Sequence, residues 1–223
     1  MKRVGVTDLV SLSACGSLKE ELSPGTFVLV DQFVDRTFSR EKSFFGNGCV
    51  AYVSFGQPVS PLLVGYVAHA AELEHIPLHR GGTYLAMEGP QFSTLAESKL
   101  YRAWGCDVIG MTNMPEAKLA REAELCYAAV AMVTDYDSWH AEFGTVDVSK
   151  VMTTLLQNAD VAKKLVLRLV RCLPQQHESC PIGSDSALEY AILTSPEARD
   201  PTVVAKLDAV AGRVLKAGIR HSG

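Results

Sequence analysis

The sequence contains no long apolar run, no cluster of basic residues and no closely spaced pair of cysteines. No stretch approaches the ~18 consecutive apolar residues of a membrane span, and residues 1–8 lack the apolar core of a secretory signal. Lysine and arginine together number 21 against 25 acidic residues, and a net charge of -4 gives no electrostatic basis for binding nucleic acid or an anionic membrane. We therefore expect a soluble cytoplasmic protein with neither a nucleic-acid nor a membrane partner.

The motifs of several common enzyme classes are absent as well. None of the six cysteines belongs to a Cys-x-x-Cys pair, and the six histidines form no sequence cluster with acidic residues of the kind that binds a metal ion. A Gly-x-Ser-x-Gly motif is missing, and Gly46-Asn47-Gly48 does not open a helix as a phosphate-binding glycine loop would. We expect reduced, mostly buried thiols, no metal ion, and neither serine hydrolase nor metalloenzyme chemistry.

What is present is the alternation of strand and helix patterns that is typical of an α/β protein. Of the 223 residues, 48% are hydrophobic, which is enough for a substantial core. Strands are predicted at residues 9–13, 27–30, 83–87, 108–111 and 128–134. Helices are predicted at residues 62–75, 94–104, 115–124, 148–169, 185–193 and 202–215, the fourth with Asp147 as its N-cap. Without a linker or a repeat between them, these elements predict a single domain over residues 1–223 and a mostly parallel sheet.

Small residues, glycine and proline mark the predicted connections. Ala14-Cys15-Gly16-Ser17 predicts a turn after the first strand, and Pro24-Gly25 predicts the turn into the second. Residues 38–58 have no periodic pattern and are expected to be irregular, whereas Gly105 is expected to end its helix. Because the chain opens almost directly on a strand, we expect the sheet to lack the strands that ordinarily precede it.

The apolar run of residues 128–133 ends abruptly in Thr134-Asp135-Tyr136-Asp137. A continuous apolar run of this length is typical of a strand buried on both faces. Ligands of α/β sheets bind at the carboxyl ends of such strands. Two carboxylates offset by two residues suit an amine beside a basic ring nitrogen, as in adenine. On the pattern alone, a strand end capped by two solvated aspartates is equally compatible.

Small polar residues also end two other predicted strands, at Ser13-Ala14 and at Met111-Thr112. In a parallel sheet these ends share one edge with the aspartate pair. The hydroxyls of Ser13 and Thr112, with the backbone N–H of Ala14, can bind an oxyanion such as phosphate. Serine and threonine end strands routinely, so each position taken alone is weak support.

An aromatic residue follows a rigid turn at Glu88-Gly89-Pro90-Gln91-Phe92-Ser93. Glycine and proline fix the backbone after the strand at residues 83–87, and the turn presents Phe92 at a defined angle. A fixed aromatic ring suits stacking on a planar base. The alternative is that Phe92 simply joins the core.

Five motifs, taken in order, closely resemble the methylthioadenosine-cleaving branch of the trimeric purine nucleoside phosphorylase family. The motifs are Ser13-Ala14-Cys15-Gly16-Ser17-Leu18, Asp31-Gln32-Phe33-Val34-Asp35-Arg36-Thr37, Met87-Glu88-Gly89-Pro90-Gln91-Phe92-Ser93, Trp104-Gly105-Cys106-Asp107-Val108-Ile109-Gly110-Met111-Thr112 and Thr134-Asp135-Tyr136-Asp137. The resemblance runs over residues 1–169 and more loosely to the end. It implies an α/β fold with a mixed central sheet flanked by helices, with the family's first strands missing.

The activity implied by the resemblance is phosphorolysis of 5'-methylthioadenosine to adenine and 5-methylthioribose 1-phosphate, in purine and methionine salvage. Inorganic phosphate is the co-substrate, and no cofactor or metal is implied. By the match, Asp135 protonates purine N7 as the base departs, and Asp137 accepts a hydrogen bond from the exocyclic amine. Such an acid needs a pKa raised by a dry site, which the preceding apolar strand favours.

The resemblance also implies a role for each of the other site residues. Phe92 and Ser93 lie at the base, and Ser93 stands where relatives specific for 6-oxopurines carry a glutamate. Met111 lies against the ribose, and Val148 and Val151 line the pocket for the methylthio group. Ser13, Ala14 and Thr112 bind phosphate. The resemblance also implies a homotrimer with sites at the subunit boundaries.

Two departures from the family pattern leave alternatives open. Tyr52 stands where the family usually has a histidine that reaches the neighbouring subunit's site. The family's glycine-rich phosphate loop and its Arg-His pair on phosphate have no counterpart in the sequence. The alternatives are an inactive fragment, a non-enzymatic purine-binding or partner-subunit protein, and a phosphorylase of 6-oxopurine specificity, which Asp135 and Ser93 disfavour.

Overall fold

A computed structural model describes residues 1–141 and 148–217, which form a seven-stranded mixed sheet flanked by helices. The strands are β1 (Asp8–Ser17), β2 (Phe27–Val30), β3 (Gln32–Arg36), β4 (Leu78–Arg80), β5 (Thr83–Met87), β6 (Val108–Gly110) and β7 (Cys126–Asp135). The helices are α1 (Pro61–Leu73), α2 (Leu95–Ala103), α3 (Glu116–Glu122), α4 (Val148–Cys172) and α5 (Pro201–Ala217). The sheet order is β3-β5-β6-β1-β7-β2-β4. The predicted α/β class with a mixed central sheet is confirmed.

The two long central strands, β1 and β7, run parallel from the Asp8–Cys126 pair onward. Every residue of β7 except Asp135 is buried, which accounts for its continuous apolar sequence. The sheet is less parallel than the strand–helix alternation predicted, because β6 is antiparallel to β1 and β2 is antiparallel to β7. The carboxyl ends of β1 and β7 therefore share one edge, whereas β6 runs the other way.

The predicted turn at Ala14-Cys15-Gly16-Ser17 is wrong, because these residues continue β1. Their small size serves close packing instead. A Cβ atom at Gly16 would lie 3.0 Å from the Asp135 carboxylate oxygen and 3.3 Å from the side chain of Ile109. Strand β1 can therefore approach the end of β7 only with glycine at this position.

Strands β3 and β4 were not predicted from the sequence. Strand β4 has three residues and two of them are exposed, so it lacks an apolar pattern. Both ends of β3 are exposed, and it follows β2 after Asp31 alone. The parallel pairing of β3 with β5 and of β4 with β2 holds each of them at a sheet edge.

The helices agree with the predictions at five of six places. A capping box of Thr94 and Glu97 starts α2, and Gly105 follows its end with φ 82°. The helix predicted at 185–193 is wrong. Apart from a short 3-10 helix at Ser184–Ser186, this segment forms turns that bury Leu188, and Ile192 makes an isolated bridge to Ala51. Asp147, the predicted N-cap of α4, lies outside the described residues.

The helices bury the two faces of the sheet separately. Helices α1 and α4 cover one face, where Val67 and Leu165 pack with Val130 of β7. Helix α3 covers the other face, where Ala117 packs in the same cluster as Tyr127. Helix α5 packs with the segments around residues 45–53 and 188–192 in a third cluster. None of the described helices has the length and apolar character to cross a membrane.

Candidate functional site

A cavity of about 330 Å³ lies between the middle of β1 and the carboxyl end of β7. It brings together eight of the ten residues that the sequence singled out. These are Ser13, Ala14, Phe92, Met111, Thr112, Asp135, Asp137 and Val151. Residues from five separate stretches of chain therefore meet at one place.

Thr112 reaches the cavity by a route that differs from the prediction. A shared carboxyl edge was expected for all three strand ends, but β6 is antiparallel to β1. Strand β6 ends at Gly110 after only three residues, while β1 is ten residues long. Thr112 therefore lies beside Ser13 in the middle of β1. Both hydroxyls donate to the side-chain amide oxygen (Oδ1) of Asn113, that of Thr112 at 3.0 Å and that of Ser13 at 3.1 Å.

The two aspartates occupy different surroundings at the end of β7. The side chain of Asp135 accepts from the Thr134 hydroxyl at 2.8 Å and from the Asp137 backbone N–H at 2.8 Å. Asp137 is 4% exposed and begins a short 3-10 helix, Asp137–Trp139. Both of its carboxylate oxygens accept from the Ser93 hydroxyl, at 2.7 and 2.5 Å. Both carboxyl groups are thus held in place by hydrogen bonds, and both residues line the cavity.

The electrostatics of the cavity are anionic. Burial raises the pKa of Asp135; hydrogen bonds from Thr134 and the Asp137 backbone oppose this rise, and the Asp137 carboxylate adds to it. Within the part of the chain that the structure describes, no lysine, arginine or histidine lines the cavity. A carboxyl group in this position is suited to hold a proton and to give it to a basic ring nitrogen.

Behind the part of the cavity wall formed by Ser13 and Thr112 lies a group of buried neutral side chains that the sequence reasoning missed. Asn113 is 3% exposed, adopts a positive φ of 67°, and donates to the Tyr127 hydroxyl at 2.8 Å. The Tyr84 hydroxyl lies 3.1 Å from the Thr112 hydroxyl, and burial raises the pKa of Tyr84 to about 12. Asn113 and Tyr84 do not line the cavity; they hydrogen-bond Ser13 and Thr112 and so hold those two side chains in place. Only Asn113, beside the predicted Thr112, carried a signal that could have found it.

Arg40 is a second feature that the sequence did not indicate. Its guanidinium group donates to the carbonyl oxygens of Met87 and Glu88 at the end of β5, at 3.2 and 2.8 Å. It also donates to the carbonyl oxygens of Met111 and Met114 beyond β6, at 2.8 and 2.5 Å. Arg40 thereby joins the two loops that carry Phe92 and Thr112, although it comes from a segment predicted as irregular.

The residues predicted to bind the substrate differ in how exposed they are and in whether they line the cavity. Ser93 is 5% exposed and lies behind Asp137 rather than on the cavity wall. Phe92 lines the cavity but remains 47% exposed. Val151 lines it, whereas Val148 is 60% exposed and is not among the lining residues. Tyr52 is 73% exposed.

Comparison with known proteins identifies relatives that match nearly the whole chain. Residues 1–171 match the family model described as the phosphorylase superfamily. An S-methyl-5'-thioadenosine phosphorylase of Bradyrhizobium diazoefficiens is 66% identical over 97% of this chain and 74% of its own length. A protein of the same name from Cereibacter sphaeroides is 62% identical, with the same shares covered.

Solved structures give the same assignment. A methylthioadenosine phosphorylase from an antarctic soil metagenomic library superposes with a TM-score of 0.87 at 40% identity, over 94% of this chain and 73% of that one. A methylthioadenosine phosphorylase from Schistosoma mansoni in complex with adenine has a TM-score of 0.74 at 30% identity, over 95% and 73% of the two chains.

Proposed function

Since the chain belongs to the phosphorylase superfamily, we propose that it cleaves 5'-methylthioadenosine with inorganic phosphate into adenine and 5-methylthioribose 1-phosphate. The observation that carries this proposal is the meeting of Asp135 and Asp137 with the hydroxyls of Ser13 and Thr112 in one cavity. The relatives at 59–66% identity, all named S-methyl-5'-thioadenosine phosphorylase, support it. The protein is accordingly a pentosyltransferase.

Asp135 acts as the general acid on the departing base. A phosphate oxygen forms a bond to the anomeric carbon as the bond from that carbon to purine N9 breaks, and the bonding pair moves into the purine. Adenine leaves poorly as an anion, so a proton must reach N7 in the transition state. Burial raises the pKa of Asp135 above its ordinary value, which favours the protonated form that this role requires.

Asp137 selects adenine by its exocyclic amine. The Ser93 hydroxyl donates to both of its carboxylate oxygens and holds the group in place. A carboxylate accepts hydrogen bonds and gives none, so it pairs with an amino group and repels the oxygen of a 6-oxopurine. Ser93 therefore acts on specificity through Asp137. Phe92 lies against the base, Met111 against the ribose and Val151 against the methylthio group, whereas the exposed Val148 lies outside the cavity lining.

Ser13, Ala14 and Thr112 bind phosphate through neutral groups. The described cavity wall offers hydroxyls and backbone there but no cation. Neutral hydrogen bonds hold a phosphate less firmly than charge-assisted ones. We expect this chain to need phosphate above ~1 mM for half-maximal rate, at the weak end of ordinary KM values.

The wider setting is proposed on the same basis. The chain forms one nucleoside phosphorylase domain over residues 1–223 and assembles as a homotrimer. It uses inorganic phosphate as co-substrate and no cofactor. Its described cysteines are free and mostly buried, which suits the reducing cytoplasm.

The direct test is release of adenine from 5'-methylthioadenosine by the purified chain, with and without phosphate. We expect phosphate-dependent release of adenine and an equal amount of 5-methylthioribose 1-phosphate. Inosine and guanosine serve as matched substrates. We expect them to react at least ~10-fold more slowly, because a mismatched buried hydrogen bond costs about 2 kcal/mol, and about 1.4 kcal/mol is a factor of ten.

Calorimetric titration with adenine distinguishes an active phosphorylase from a protein that only binds purines. Adenine binding without any turnover would overturn the phosphorylase proposal for this chain and favour a purine-binding protein instead. Turnover of inosine in preference to methylthioadenosine would contradict the role assigned to Asp137.

A further inference from the structure

A second group of polar side chains lies at the opposite end of the central strands from the purine cavity. Asp8 and Cys126 are the first residues of β1 and β7 and are paired directly across the two strands. His177, from the segment after α4, contacts Asp8 through Nδ1 at 2.9 Å. Strand β7 spans about 30 Å at ~3.3 Å per residue, so this group is remote from Asp135.

The three side chains are gathered closely enough to hold one cation. One ligand atom of each, the Asp8 carboxylate oxygen, the Cys126 sulfur and a His177 ring nitrogen, lies within 4.8 Å of the other two. The edges of a tetrahedral zinc site are roughly 3.3–3.8 Å, from bond lengths of about 2.0–2.3 Å. His177 and Asp8 are partly exposed and can close the remaining distance by rotating their side chains.

Two further features favour a ligand here. A cavity of about 370 Å³ is lined by Asp8, Cys126 and His177 together, which gives a cation a route from solvent. The second ring nitrogen of His177, Nε2, lies 3.5 Å from the Asp185 carboxylate. A carboxylate on the far nitrogen is the usual outer partner of a metal-binding histidine, because it fixes the ring and the tautomer.

We propose that Asp8, Cys126 and His177 form a zinc-binding site whose fourth position faces this cavity. One thiolate, one imidazole and one carboxylate form a donor set that suits Zn²⁺ better than Mg²⁺ or Ca²⁺, which take oxygen ligands. Binding forms the bond from sulfur to zinc and releases the Cys126 thiol proton to solvent. The bound ion connects the first residues of β1 and β7 to the segment after α4.

This site was not expected from the sequence, since no spacing pattern links the three residues. The proposal also stands apart from the proposed phosphorylase activity, because it uses no residue of the purine cavity.

The test is titration of the chelator-treated, reduced protein with Co²⁺, which reports thiolate ligation by a near-ultraviolet charge-transfer band and a tetrahedral site by visible bands. We expect one equivalent of Co²⁺ to bind and Zn²⁺ to displace it. Affinity should fall on acidification, because the thiol and the imidazole must lose protons. Zn²⁺ should also raise the unfolding temperature.

Matched variants decide whether these residues are the ligands. We expect His177→Ala to weaken Zn²⁺ binding at least ~10-fold and Cys126→Ser to remove the charge-transfer band. His79→Ala at an exposed histidine and Cys172→Ser at a cysteine outside the group should bind as the parent does. Absence of Co²⁺ binding, or unchanged binding in His177→Ala, would overturn the proposal. Because His177 is partly exposed, this variant remains informative if Cys126→Ser fails to fold.

Discussion

Asp135 and Asp137 are separated by one residue but lie in different environments. Asp135 faces the cavity with a pKa raised by burial, while Asp137 is buried and accepts from Ser93 with both oxygens. Environments that separate two carboxyl groups in this way are the usual basis for assigning one as acid and the other as acceptor. The proposed division of roles at the residue scale rests on this contrast.

Replacing Asp135 by asparagine tests its role as the acid. We expect Asp135→Asn to lower kcat on methylthioadenosine by about 10²–10⁴-fold, the range for a lost general acid. Adenine affinity should change much less, because the amide can still hydrogen-bond. Steady-state kinetics and calorimetry on the same preparation measure both, and Asp160→Asn, at an exposed position of α4, is the control. An unchanged kcat would remove Asp135 from this role.

The pH dependence of the reaction tests the same group independently. The acid works in its protonated form, so kcat/KM should fall as pH rises through the pKa of Asp135. Because burial raises that pKa, the fall in kcat/KM should occur at a higher pH than the ordinary pKa of an aspartate would give. In Asp135→Asn this alkaline decline should disappear from the profile. A decline that persists in the variant would assign it to another group.

At the scale of elements, the site depends on loops that Arg40 holds together. Its guanidinium group satisfies carbonyl oxygens at the end of β5 and beyond β6 and pairs with Glu88 at 3.1 Å. Hydrogen bonds from the Phe38 and Ser39 backbone also hold the pKa of Glu88 below its ordinary value. Loop conformation on both sides of the cavity is therefore set by a residue outside it.

Substitution of Arg40 should disturb both stability and catalysis. We expect Arg40→Met to lose roughly 2–3 kcal/mol of unfolding free energy, because several carbonyl groups lose a charged donor. The value of kcat/KM should fall while the pH profile keeps its shape, since Asp135 is untouched. Denaturant unfolding and steady-state kinetics measure the two effects. Arg36→Met, at an exposed arginine, is the control, and equal behaviour of both variants would contradict the loop role.

At the scale of the whole molecule, one ion pair joins the carboxyl-terminal helix to the sheet side. Arg213 of α5 donates to Glu124 through two nitrogens, at 3.1 and 2.6 Å. Glu124 is 4% exposed and also accepts from the Leu188 backbone N–H at 3.0 Å. This carboxylate thus connects α5, the turns around residue 188 and the chain leading into β7.

Removing the arginine should loosen this attachment. We expect Arg213→Met to cost about 2 kcal/mol of unfolding free energy, because a buried carboxylate loses its charged partner. The partial exposure of Arg213 keeps the loss below that of a fully buried pair. Thermal and denaturant unfolding measure it, with Lys206→Met on the same helix as the control. A loss no greater than that of the control would show that apolar packing alone holds α5.

How far sequence predicts structure differs between the parts of this protein. Strands β2, β5, β6 and β7, the first part of β1 and helices α1 to α5 were predicted because their periodicity, caps and turns are local properties. Strands β3 and β4 and the turns at residues 184–192 were not, because pairing with distant segments and burial of Leu188 decide them. The same holds for Arg40, whose partners are 47 or more residues away along the chain.

The sequence by itself determined the fold class, the long buried strand β7 and most of the residues that meet in the cavity. Motif order and apolar patterning are properties of the linear chain, so they could be recognised without coordinates. Only the tertiary structure decided that β6 runs antiparallel to β1, that Ser93 hydrogen-bonds Asp137 and Arg40 bonds two loops, and that Asp8, Cys126 and His177 meet. Such contacts depend on how strands pair and which side chains share a face, because distance in space is not encoded by spacing along the chain.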